Sequence, residues 1–142
     1  MFDNRCPPKT GMKETEMDPR IVKIPGPHHP ITISPSHSRI VVSVGGRVVA
    51  DSVNALILQE AAYPAVHYIP RADVDMTALT RSETHSYCPY KGEASYFSIP
   101  NGGGRAVDAV WTYETPYDAV DAIKAYVAFY PDRVDAIEQR PI

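Results

Sequence analysis

Valine occurs 14 times and isoleucine 11 times in this 142-residue chain, whereas leucine occurs only at Leu56, Leu58 and Leu79. β-Branched side chains are stiff at χ1 and pack well on a pleated surface, while helices favour leucine. That imbalance argues for a mainly β fold. The length fits one domain, and a chain of this size buries about 68% of the surface its extended form exposes. A single core is then expected to suffice without disulfides or a structural metal.

The signal is not uniform along the chain. Seven of the 14 prolines fall within the first 35 residues. Proline fixes φ and removes a backbone donor, so this start forms neither regular helix nor central strand. Residues 1–20 are read as a flexible proline-rich tail and residues 21–142 as one β domain. Ile31-Thr32-Ile33 is placed as an edge strand. From Arg39 the β-branched runs sharpen: Arg39 to Val44 and Arg47 to Asp51 flank Gly45-Gly46, which suits the positive φ of a tight hairpin turn. Ala55 to Gln59, Ala65 to Ile69, Thr84 to Cys88 and Ala94 to Ile99 are further strands. Asp73 is placed as the cap of one short helical turn. Asn101 to Gly104 is read as a hairpin turn and Val107 to Tyr113 as its return strand. Val120, Ile123, Val127 and Tyr130 then stand at helical spacing, which predicts a helix from Tyr117 to Phe129 ended by Pro131. Val134 to Ile137 is a short closing strand. The expected architecture is a run of antiparallel strands and hairpins with one C-terminal helix packed on the sheet.

Charge and cysteines narrow the function classes. A formal charge of −3 gives no basic face for nucleic acid. No stretch approaches the roughly 18 apolar residues of a membrane helix, and the start has no secretory pattern. Cys6 and Cys88 are read as unpaired thiols, which fits a reducing, cytoplasmic compartment. His28-His29 lacks the further ligands that a metal site needs, and neither CxxC nor HExxH occurs, so no metal or cofactor is expected.

The densest chemistry lies in Thr84-His85-Ser86-Tyr87-Cys88-Pro89-Tyr90-Lys91-Gly92-Glu93-Ala94-Ser95-Tyr96. Alternation puts Thr84, Ser86 and Cys88 on one strand face and His85 and Tyr87 on the other. A Cys88–His85 pair therefore needs a bulge, whereas Lys91 lies past the turn and can approach Cys88, where a cation favours thiolate. Against this stands the plain reading of Cys88 as a small buried hydrophobe. Lys91 is open to three readings, an anion-binding cation, a solvated turn residue or a Schiff-base amine; the last requires a perturbed site. In Tyr68-Ile69-Pro70-Arg71-Ala72-Asp73-Val74, Arg71 offers a planar fork for carboxylate or phosphate, and Asp73 is placed to pair with it or to cap a turn. Trp111 and Tyr113 share a strand face as core or pocket wall.

These pieces, with Gly46-Arg47-Val48-Val49-Ala50-Asp51-Ser52, Trp111-Thr112-Tyr113 and Tyr126-Val127-Ala128-Phe129-Tyr130-Pro131, make the chain resemble the domain of unknown function 427 family over about residues 31–137. The resemblance implies a compact, tent-like antiparallel β fold with a helix, similar to that of a zinc-binding accessory factor of small GTPases. The paired CxxC ligands of that factor are absent here. A nucleotidyltransferase label attached to the family finds no Gly-Ser with paired aspartates in this sequence.

Two functions follow as expectations. In one, the protein binds a small anionic molecule: Arg71 and Lys91 hold the anion beside Asp73, while Tyr90, Tyr96 and Trp111 form walls. Any catalysis would then use Cys88 as nucleophile, helped by His85 or Lys91. In the other, the chain is a non-catalytic interaction module that works through a sheet edge or a homo-oligomer face.

Overall fold

A computed structural model describes residues 21–142. The proposed tail, residues 1–20, lies outside the described residues. Ten strands follow one another: β1 (Ile31–Pro35), β2 (Ser38–Val44), β3 (Arg47–Ser52), β4 (Leu56–Glu60), β5 (Val66–Tyr68), β6 (Thr80–Cys88), β7 (Gly92–Ser98), β8 (Val110–Thr112), β9 (Val127–Phe129) and β10 (Ala136–Pro141). They form three antiparallel sheets, ordered β1-β4-β5, β10-β2-β3 and β6-β7-β8-β9. A bridge between Ile69 and Val127 ties the first sheet to the last. The Ile31-Thr32-Ile33 run does form an edge strand, β1. Gly45 and Gly46 both take positive φ, 59° and 77°, at the β2–β3 hairpin.

Strands β8 and β9 of the four-stranded sheet are buried on both faces, whereas its edge strand β6 is largely exposed. Phe97, Val110, Val127 and Phe129 join an aliphatic core with Ile40, Val42 and Ile69. Tyr96, Trp111 and Ala128, alternating with them, join a second core that is rich in aromatics and includes Tyr68, Tyr113 and Tyr130. Alternate residues of β7, β8 and β9 thus feed two cores. A strand buried on both faces reads as a continuous apolar run rather than an alternation.

That burial explains the main correction. The predicted helix from Tyr117 to Phe129 is not formed; the described residues there hold a 3-10 segment, Asp118–Ile123, kinked at Val120, and then strand β9. Val120, Ile123 and Val127 are all fully buried, as the periodicity required, but Ala125 adopts φ 64° and turns the chain into the sheet. An α-helix cannot pass through a left-handed alanine. Two smaller differences follow the same logic. Residues 100–106 form 3-10 turns rather than a tight hairpin turn, so the return strand is shortened to Val110–Thr112. Asp75, not Asp73, caps the short turn Met76–Ala78, accepting from the Thr77 amide at 3.1 Å.

Candidate functional site

The candidates separate into three groups. The first is built on Lys91. The β6–β7 turn carries this side chain inward until it is 1% exposed, and its Nζ pairs with Glu60 Oε1 at the end of β4, where Glu60 is 3% exposed. The other carboxylate oxygen, Oε2, meets His29 Nε2 at 2.7 Å. The His29 ring stacks on Tyr90 with centroids 4.1 Å apart and planes 8° apart, and Lys23 lies over the same phenol. Lys91 and Glu60 border a closed crevice, lined also by Leu58, Tyr63, Pro64, Val66 and Tyr68, that leaves no room for a water molecule. Behind that wall the Trp111 indole N–H donates to the Tyr68 hydroxyl at 3.1 Å. Tyr96, deeper in the aromatic core, shares a hydrogen bond of 2.9 Å with Ser86. Tyr113 lies in the same core, and burial first, then the nearby Tyr68, Tyr96 and Glu60, push its phenol well above the ordinary value.

Glu60 and Tyr68 were not singled out from the sequence. Glu60 had a signal all the same: Leu58 and Glu60 share parity on β4, so an acid stood at an inward position. His29 belongs to the pair considered for metal; here its partner is a carboxylate, and the described residues contain no cluster of three or more potential ligands.

Arg71 anchors a separate group. Its three nitrogens donate to Ala125 O at 3.2 Å, Glu114 Oε2 at 3.3 Å and Thr112 Oγ1 at 3.2 Å. Arg81 grips the same Glu114 carboxylate, and both guanidiniums lie over the Phe97 ring. Glu114 is held below its ordinary value, chiefly by its hydrogen bond to Arg81. Arg71 therefore holds the left-handed turn at Ala125 in place, whereas Lys91 pairs with Glu60. The alternative of an Arg71–Asp73 pair is not what forms: Asp73 accepts from the Ser52 hydroxyl at 2.6 Å.

The third group is the proposed nucleophile and its helper. Cys88 is buried, as its plain reading required, and His85 is exposed on the opposite face of β6, 3.7 Å from Glu93. Cys88 is disulfide-bonded, so the expectation of an unpaired thiol is corrected. A sulfur engaged in a disulfide supplies no thiolate, and attack by Cys88 would first require reduction.

A family model described as a domain of unknown function (DUF427) matches residues 32–140. No curated protein matches the chain.

Proposed function

The chain belongs to the domain of unknown function 427 family, and from that premise, which names no activity, we propose that it is a small-molecule-binding domain. Its site is the buried Lys91–Glu60–His29 network, and its ligand carries a carboxylate or phosphate. One observation carries this reading: a lysine and a glutamate, both almost fully buried, pair beside a closed crevice. Desolvating two charges costs several kcal/mol per ion, and apolar residues of similar volume often serve stability as well or better. Buried, paired ionisable groups are a functional signal for that reason.

The geometry also supports a mode of binding. An anion that reaches Lys91 competes with Glu60 for the ammonium, and His29 is placed to keep the displaced carboxylate. Tyr63 and Tyr68 line the crevice over the pair, which is closed, so a ligand enters only when these rings move apart. An ammonium answered by a carboxylate is a binding group, since nucleophilic attack requires the free amine. The reading is therefore of a binder first. A cytoplasmic location was argued from unpaired thiols and loses that support with Cys88 in a disulfide. No helix among the described residues is long and apolar enough to cross a membrane.

Calorimetric titration with acetate, benzoate and inorganic phosphate tests the proposal. Glu60→Gln keeps the shape and removes the competing charge, so anion affinity should rise about tenfold. The double variant Lys91→Met, Glu60→Leu should bind none of the three. Binding that is unchanged in both variants would overturn the site. No binding to any protein form would favour the interaction-module alternative.

A further inference from the structure

β5 has two faces. Val66 and Tyr68 turn towards the aromatic core, and His67 between them turns the other way. There a cleft of about 250 Å³ opens, between β5 and β9 on one side and β2 and β10 on the other. Val66 is the one residue it shares with the Lys91 crevice. Its floor is apolar: Ile40, Val42, Ile69, Phe129 and Ile137. His67 and Gln139 supply its polar side chains, with their nitrogens 3.5 Å apart.

We propose that this cleft binds a small uncharged molecule, an apolar body about the size of one substituted aromatic ring with a single hydrogen-bonding group facing His67 and Gln139. The size follows from volume. A cavity of roughly 150 Å³ holds benzene, and drug-sized pockets begin at about 300 Å³. The absence of charge follows from the lining, which contains no lysine, arginine, aspartate or glutamate. An ion placed there would be desolvated without a partner. Burial lowers the His67 pKa, so the imidazole itself is neutral at neutral pH. The polar group follows from the His67–Gln139 contact, which at 3.5 Å is too long to be a good hydrogen bond. A ligand hydroxyl between the two can donate to one and accept from the other.

Three para-substituted phenols of nearly equal size separate the possibilities: 4-ethylphenol, which is neutral, 4-hydroxybenzoate, which is anionic, and tyramine, which is cationic. Titrating the full chain while recording methyl resonances, 4-ethylphenol should shift Ile40, Val42, Ile69 and Ile137 saturably. The charged analogues should bind at least about tenfold more weakly. Gln139→Ala, at an exposed position on β10, should weaken 4-ethylphenol about fivefold, the value of one modest hydrogen bond. Ala65→Trp, at the exposed rim, should block the cleft while leaving the methyl spectrum dispersed. The proposal is overturned if 4-ethylphenol gives no saturable shift, if its shifts centre instead on Leu58 beside Lys91, if 4-hydroxybenzoate binds equally well, or if either variant leaves affinity unchanged.

Discussion

Removing Lys91 alone should harm the fold more than removing it together with its partner. Lys91→Met leaves the Glu60 carboxylate in the interior beside His29, without its ammonium partner. Breaking a buried pair in this way costs about 3–5 kcal/mol, whereas replacing both members by apolar groups is often close to neutral. Urea denaturation at neutral pH should therefore show a large loss for Lys91→Met and recovery of most of it in Lys91→Met, Glu60→Leu. Equal losses in the two would mean that the charges are not coupled. Tyr113 gives a second prediction, in pH. Its folded phenol titrates well above the ordinary 10.0 because burial disfavours the phenolate. Below pH 10 both folded and unfolded chains keep the proton, and the stability is complete. Above it the unfolded chain loses the proton while the folded one keeps it. Stability then falls, by up to about 1.4 kcal/mol per pH unit, until the folded value is passed. Urea midpoints collected across that range should fall less steeply in Tyr113→Phe. At this scale the sequence was partly legible. Lys91 and Tyr90 stood out by their chemistry inside a turn. Their partners did not, because Glu60 and His29 come from distant segments, and likeness of charge grouped Arg71 with Lys91 when Glu114 and Thr112 were its real neighbours.

The β2–β3 hairpin turns on two glycines that are not equivalent. Asn-Gly is a favoured pair for a turn with positive φ at both central positions, which would invite asparagine at Gly45. A Cβ at Gly45, however, would lie 2.7 Å from the Asn101 backbone oxygen and would also strike the Asn101 side-chain amide. That amide already donates to Val44 O at 3.0 Å and Gly45 O at 3.2 Å. Gly46 has φ 77° and open space around the missing Cβ. Gly45→Asn should thus destabilise by about 1–3 kcal/mol and Gly46→Asn by well under 1 kcal/mol, read from thermal or urea midpoints. Comparable losses at both positions would show that φ alone decides. Hairpins of this kind were legible because glycine pairs between β-branched runs have few other uses. The Tyr117 to Phe129 segment was not, for a definite reason. Val120, Ile123 and Val127 are buried as a helical face would be, but Ala128 is buried too: it joins Val120 and Ile123 in the aromatic core, while Val127 faces the aliphatic one. Period alone does not separate a short strand buried on both faces from part of a helix.

The two cores share one sheet, and this decides how the molecule unfolds. β7, β8 and β9 send alternate side chains into each core, so neither core can open without loosening the strands that support the other. β10 offers a way to perturb one side only. It pairs with β2 from Ala136 opposite Ser43 to Pro141 opposite Ser38, and Ile137 packs on the aliphatic core. The single tryptophan, Trp111, lies in the aromatic core and reports on the other side. In the intact chain, Trp111 fluorescence and far-ultraviolet circular dichroism should give superimposable urea transitions, the mark of a cooperative unit. Ile137→Ala removes packing from the aliphatic core and should cost about 2 kcal/mol, less than a fully buried site because Ile137 is only partly buried. If the cores are coupled through the shared sheet, the fluorescence midpoint moves by the same amount as the dichroism midpoint, although Trp111 belongs to the other core. Separate cores would leave the tryptophan transition where it was and shift only part of the dichroism. Deleting Ala136 to Ile142 should go further. It strips β2 of a strand partner and exposes an unpaired edge beside Ile40 and Val42, so loss of soluble monomer is expected in sedimentation, by edge-to-edge association.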